Sequence, residues 1–196
     1  MNIELDKIQN ILDWIKKKIL LDAVSDKAKK RNVKRGQVYR CNFGYGIGSE
    51  MQKDRPAVVV QNDVGNNRSG NTIVLPITHD SSNLPCVTNI TTQLKNDGSV
   101  LLDGQANASN IICVSKARLG DYITDLPAQD MKAIDAAIAK STGLMHYYSG
   151  LLKKLEEKNK YIAVLKEERN RVQDDLNRLK HKFEKVENMI DTKLKI

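Results

Sequence analysis

The 196-residue sequence predicts an α+β protein. The expected architecture is a small, mainly antiparallel β-barrel or curled sheet with a closing helix, preceded by an N-terminal helix and followed by a long C-terminal coiled-coil helix. Two changes of hydrophobic texture predict it. Apolar residues recur at three and four spacing at the start, switch to short β-type runs in the middle, and return to three and four steps near the end. Composition agrees, with 40% hydrophobic and 29% charged residues, as in a globular chain rather than a disordered one.

From about Asn2 to Val24 the residues Leu5, Ile8, Leu12, Ile15 and Ile19 form one stripe with Trp14 beside it, which marks an amphipathic helix that needs a partner. Residues 25–35, SDKAKKRNVKR, are polar, basic and aperiodic, and read as a linker or a fraying helix end. From Gly36 to about Leu119 the β-type runs are GQVYRCNF, PAVVVQN, NTIVLPIT, CVTNITT, SVLLDG and NIICVSKARL, separated by turn-rich pieces such as NDVGNNRSGN and LKNDG. Pro127 then opens a short amphipathic helix carrying Met131, Ile134 and Ile138, with Gly143 as its stop signal.

Beyond Gly150 a heptad seam runs through Leu151, Leu155, Ile162, Leu165, Val172, Leu176, Leu179, Phe183, Val186 and Ile190, interrupted only by Lys158 and Arg169. Such a helix would extend on the order of 60 Å. Its partner is either the N-terminal stripe, lying antiparallel, or a second copy of the chain. The expected divisions are 1–33, 34–145 and 146–196.

The net charge of +8 is uneven: residues 1–35 carry +5, residues 36–144 carry −1 and residues 145–196 carry +4. Any general attraction to nucleic acid would come from the ends, and the middle must rely on a few placed cations. Cys41, Cys86 and Cys113 are odd in number and widely spaced, which supports neither a disulfide scaffold nor a zinc site and fits a reducing cytoplasm. No signal peptide or membrane span is read, because charges interrupt the N-terminal apolar residues.

The stretch from Lys34 to Thr78 carries the chemistry. It joins a Gly/Ser loop, an Arg-Pro entering a strand, and a strand ending in Thr. Arg35-Gly36-Gln37-Val38, Gly48-Ser49-Glu50, Arg55-Pro56 through Asp63, and Ile77-Thr78 stand in the order and spacing of the MazF/PemK family of toxin endoribonucleases, which this segment resembles. The likeness continues more weakly through Val100 to Gln105, Ser115 to Leu119 and the helix ending at Leu144; it leaves out both ends. It implies an SH3-like barrel dimer that cuts single-stranded RNA, such as mRNA, at short sequences, leaving 2′,3′-cyclic phosphate and 5′-hydroxyl ends. It also implies an antitoxin protein as inhibitor and DNA-binding partner. By position, Arg55 and Thr78 match the catalytic pair, and Ser49 and Glu50 match the mobile loop beside the site.

The residue chemistry agrees with that implication. Internal attack by a ribose 2′-OH supplies its own nucleophile, so the protein orients the phosphate and stabilises charge on its oxygens, with no metal or cofactor required. A guanidinium suits charge stabilisation better than proton abstraction. Ile73, Leu75 and Ile77 share one face of their strand, so Thr78 projects from the other, toward a possible groove. His79 would share the apolar side if the strand continued, which argues against an acid/base role. In the Gly44 to Glu50 loop, Tyr45 is placed to stack on a base, while Gln61, Asn62 and Gln105 are candidates to read base edges. The competing readings are a non-catalytic inhibitory or nucleic-acid-binding module on the same barrel, acting like a gyrase poison, and a coiled-coil assembly protein.

Overall fold

The structure, a computed structural model, describes residues 4–80 and 82–193, with backbone only over 187–193. Helix α1 spans Leu5–Ala23 and a single turn, α2, spans Ser25–Ala28. Strand β1 (Gln37–Asn42) leads through a loop to β2 (Asp54–Val59), and a short helix α3 (Asp63–Arg68) precedes β3 (Asn71–Thr78). Six further strands follow: β4 (Val87–Asn89), β5 (Gln93–Leu94), β6 (Val100–Leu102), β7 (Gln105–Asn107), β8 (Ile112–Ser115) and β9 (Leu119–Asp125). Helices α4 (Ala128–Ser141) and α5 (Leu144–Lys193) complete the order. The chain divides into two compact units, the first ending at Met145 and the second beginning at His146.

The main sheet is antiparallel, in the order β4-β7-β3-β2-β1-β9, with β8 also paired to β3. Among the described residues β4 and β9 end this path without pairing to each other, so the ladder is that of an open sheet and not the closed barrel expected. β5 and β6 form a separate ribbon. Strand β3 is central: from Val74 to Thr78 every residue is buried, because both of its faces are covered. On one face Val38, Val58, Leu75 and Ile77 pack with Ile134 and Ala137 of α4; on the other Tyr39, Cys41, Ala57, Val59 and Val74 pack with Val33, Val114 and Leu119. Two-sided burial explains why the alternation in this strand is weak.

Helix α4 follows Pro127 as expected and ends at Gly143, whose φ of +73° and N–H bond to Lys140 O (3.2 Å) close the helix in a left-handed residue. The carboxylate of Asp130, in its first turn, is buried and accepts from Thr91 N and Thr91 Oγ1, both at 2.9 Å, which fixes the segment after β4. The strand β9 and the helix α3 depart from the sequence reading. β9 is a mostly exposed edge strand that starts beside Gly120, so it has no apolar run to announce it. α3 forms within a piece read as turns, because Asn62 caps it by accepting from Gly65 N at 2.8 Å.

The segment read as a linker is packed. Ala28 and Val33 are buried, and Arg31 donates to the carbonyls of Leu119 and Gly120. The ammonium of Lys116, itself 1% exposed, donates to Arg31 O (3.1 Å) and Asn66 O (2.6 Å). A hollow of about 330 Å³ beside it is lined by Lys29, Lys30, Arg31 and Lys34, but Lys29 is paired with Asp26 at 2.6 Å and Arg31 is held by carbonyls.

Helix α5 begins at Leu144, two residues before the expected division at 146 and ahead of the seam that starts beyond Gly150. Gly150 inside an exposed helix costs about 1 kcal/mol relative to alanine without ending it. At 1.5 Å per residue its 50 residues extend roughly 75 Å. The seam residues from Leu151 to Val186 are exposed; the side chain of Ile190 lies outside the described residues. Among the described residues no helix is long and apolar enough to cross a membrane.

Replacing Lys116 by alanine strips one buried and one part-buried carbonyl of a charged donor. It should lower the unfolding free energy by about 2–3 kcal/mol, read from urea denaturation curves.

Candidate active site

The pairing of β2 with β3 aligns Ala57 with Pro76, Val58 with Leu75 and Val59 with Val74. The same step carried two residues further sets Arg55 opposite Thr78. Pro56 and Pro76 have no N–H to give to the sheet, and the ladder stops at the Ala57–Pro76 rung. Past that point Arg55 and Thr78 meet through their side chains. Arg55 Nη1 donates to Thr78 Oγ1 at 3.4 Å, and Arg55 Nε donates to Gln52 O at 3.2 Å, which aims the guanidinium.

Asp80 completes the cluster. Thr78 Oγ1 donates to Asp80 Oδ2 (2.8 Å) and accepts from Asp80 N (3.1 Å), while Asp80 Oδ2 lies 3.9 Å from Arg55 Nη1. The Arg55 side chain is 33% exposed and that of Asp80 83%. The cation therefore reaches solvent, and an exposed surface carboxylate faces it. Thr78 is on the face opposite Ile77, as strand parity requires, yet it is 4% exposed. That face is not an open groove but the second core, and the hydroxyl lies at its edge.

The neighbouring strand adds Gln105, which pairs with Thr78 across β3 and β7. Its side chain is engaged: Oε1 accepts from Ser82 N (3.1 Å) and Nε2 donates to Asn89 Oδ1 (2.8 Å). Gly104, before it, has φ +109°, and a Cβ built there would lie 2.6 Å from Thr78 O. Only glycine lets these two backbones approach so closely.

The loop between β1 and β2 holds Tyr45, half-buried, and Ser49 and Glu50, exposed. The Glu50 carboxylate folds back to accept from Ile47 N at 2.9 Å, and a Cβ on Gly46 would strike Glu50 Cβ at 2.8 Å. Gly46 thus serves the loop's own turn. Gln61 and Asn62 are not brought to the site. They follow the far end of β2, roughly 20 Å from Arg55 along the strand. There Asn62 caps α3, and Gln61 packs on Gly65.

His79 follows the last residue of β3, so strand parity does not govern it. It is exposed and its Nε2 lies 2.5 Å from Asp103 Oδ1. Cys41, the cross-strand neighbour of Arg55, is buried. Burial pushes its thiol up to about 12, with Arg118 opposing and Asp54 adding to the shift, so it is no nucleophile at neutral pH.

Sequence reasoning missed Asp80 and Asp103. The signal for Asp80 was its place two residues beyond a strand-ending threonine, a spacing at which a backbone N–H turns back onto the hydroxyl. Asp103 gave no local signal, since it meets His79 only through the pairing of β3 with β7. Among the described residues no three His, Cys, Asp or Glu side chains gather so as to hold a metal ion.

Fold and site together define an α+β protein in which a solvent-reaching arginine meets a threonine hydroxyl and a carboxylate at the end of an antiparallel sheet. A family model described as PemK-like, MazF-like toxin of type II toxin-antitoxin system matches residues 34–142, and the chain belongs to that family. The endoribonuclease EndoA of Bacillus subtilis strain 168 is 35% identical over 119 residues, which cover 59% of this chain and 98% of that protein. The endoribonuclease MazF4 of Mycobacterium tuberculosis strain H37Rv is 32% identical over 110 residues, 56% of this chain and 92% of the other. In fold, the chain is similar to the crystal structure of MazF (Form-I) from Deinococcus radiodurans, with a TM-score of 0.50, 18% identity, and 58% and 98% of the two chains covered.

Replacing Gly104 by alanine should strain a left-handed residue and push Thr78 off Arg55. The expected loss is about 1–3 kcal/mol of unfolding free energy, measured by denaturant titration.

Proposed function

We propose that the protein is the toxin of a type II toxin-antitoxin system, an endoribonuclease that cuts single-stranded RNA, mRNA included, at short sequences. The observation that carries this reading is the Arg55 guanidinium 3.4 Å from Thr78 Oγ1 at the solvent-facing end of β2 and β3, in a chain of this toxin family.

The reaction assigned to the site is internal transfer. The ribose 2′ oxygen bonds to phosphorus and the bond to the 5′ oxygen breaks; the 2′ proton is given up and the leaving oxygen gains one. The products are a 2′,3′-cyclic phosphate and a 5′-hydroxyl. Arg55 supplies a fixed cation and forked donors to the non-bridging oxygens, where negative charge grows, in a setting screened from bulk water on its core side. Thr78 gives a second donor once the phosphate takes the place of Asp80 beside the guanidinium. Before the phosphate arrives, Asp80 acts through Thr78, by holding its rotamer.

The same reading makes the 44–50 loop, with Tyr45, Ser49 and Glu50, the substrate-covering element, and keeps Gln105 as a base-contacting candidate at the far side of Thr78. Gln61 and Asn62 take structural roles instead. The sheet is assigned to the SH3-like class, and the working division is 1–33, 34–145 and 146–196. The partners are a cognate antitoxin and a second copy of this chain, the latter supported also by the exposed seam of α5. The setting is the cytoplasm.

Replacing Arg55 by alanine should lower the cleavage rate on a long single-stranded RNA by about 10²–10³-fold, with the melting curve unchanged. Excess EDTA should leave wild-type cleavage intact, and cleavage abolished by EDTA would refute this mechanism. Asp80→Ala should cost only about tenfold, the worth of one hydrogen bond.

A further inference from the structure

Helix α1 lies outside the part of the chain that the family model matches. Within the first unit it packs through a face that its apolar pattern does not mark. Its stripe of Leu5, Ile8, Leu12, Ile15 and Ile19 is exposed. The half-buried residues are Trp14 and Leu21, on a face roughly 150° away around the helix. Contact is therefore made by a few specific groups rather than by a hydrophobic seam.

Those groups grip both legs of the loop between β1 and β2. On the first leg, Trp14 packs against Gly44, where a Cβ would come within 2.6 Å of Trp14 Cζ2 and where φ is +88°. The Arg118 guanidinium lies 5.0 Å from the Trp14 ring centroid and donates to Asn42 O (3.2 Å) and Phe43 O (3.0 Å), so the guanidinium links the indole to the end of β1. On the second leg, Lys17 pairs with Asp54 Oδ2 at 2.8 Å. The other oxygen of that carboxylate accepts from Asn42 Nδ2 at 2.6 Å, on the last rung of the β1–β2 ladder. Asp54 directly precedes Arg55. Between the legs the backbone bonds Phe43 N to Lys53 O (3.0 Å) and Lys53 N to Gly44 O (2.8 Å) close the loop's neck.

We propose that α1 is a brace in cis: Trp14 and Lys17 are positioning residues that fix the neck of the 43–54 loop and, through Asp54, the start of β2 that presents Arg55. The role of Arg55 here rests on the nuclease reading; the bracing of the loop does not. A loop that covers substrate needs a tip free to move and a root that returns it to one place. Ile47, Gly48 and Ser49 at the tip are exposed, while the root is held from outside the sheet by two contacts one helical turn apart.

The test is hydrogen exchange on the full-length protein, wild type against Trp14→Ala, Trp14→Phe and Lys17→Glu, with cleavage of a long single-stranded RNA measured in parallel. Lys17 is 48% exposed, so Lys17→Glu carries the test even if Trp14→Ala does not fold. Both disruptive variants should speed amide exchange over residues 43–54 by about tenfold while residues 71–78 keep their protection, and Trp14→Phe should restore most of it. They should raise KM for RNA more than they lower kcat. Unchanged exchange over 43–54 overturns the brace, whatever the RNA result. Faster exchange with unaltered KM and kcat overturns the positioning role. A wild-type protein that leaves RNA intact counts against the nuclease reading alone, and exchange then decides the brace.

Discussion

The register of β2 against β3 is the constraint on which the site depends. Because Ala57 faces Pro76 and Val59 faces Val74, the cation at 55 and the hydroxyl at 78 must arrive opposite each other on the same side of the sheet. A slip of one residue would turn Thr78 onto the face of Ile77 and leave Arg55 opposite an apolar side chain. That register is secured by burial on both faces of β3, where Leu75 and Ile77 belong to one core and Val74 to the other. The two prolines then release the strands from the ladder just where side-chain chemistry takes over. The core thus does more than stabilise: it sets which polar groups meet beyond its edge.

Around this pair the structure is layered by how firmly each part is held. Gly104 lets β7 approach Thr78 closely, and Gln105 ties the segment after β3 by accepting from Ser82 N. The arginine is held by Gln52 O at its Nε and by Thr78 Oγ1 at its Nη1, and its outer face looks onto a surface carboxylate. The loop from 44 to 50 is braced at its root and exposed at its tip. The core charge is close to neutral and offers the placed Arg55 guanidinium rather than a broad positive field, while cations of the basic N-terminal segment have their own attachments: Lys29 to Asp26, Arg31 to backbone carbonyls, Lys17 to Asp54.

Much of the framework was legible in the sequence, for reasons that particular residues make plain. NTIVLPIT is a strand because its branched residues pack on both sides, and α4 carries its start at Pro127 and its stop at Gly143. The pairing of Arg55 with Thr78 was legible only through the family resemblance; no local pattern states which residues face each other across a sheet. β9 was not legible, since an exposed edge strand has little apolar periodicity, and neither was α3, formed by a cap among turn-type residues. The docking face of α1 was hidden for a related reason. Its binding groups are one indole and one ammonium, whereas the hydrophobic stripe that periodicity detects faces away. Asp80 escaped notice because its role is a turn contact, not a motif.

The central claim is that this geometry directs a ribose 2′-OH onto its own phosphate. Mapping the ends of RNA fragments released by the full-length protein tests it most directly. The account predicts 2′,3′-cyclic phosphate and 5′-hydroxyl ends at a recurring short sequence. Fragments ending in 3′-hydroxyl and 5′-phosphate, or an RNA left whole, would contradict it.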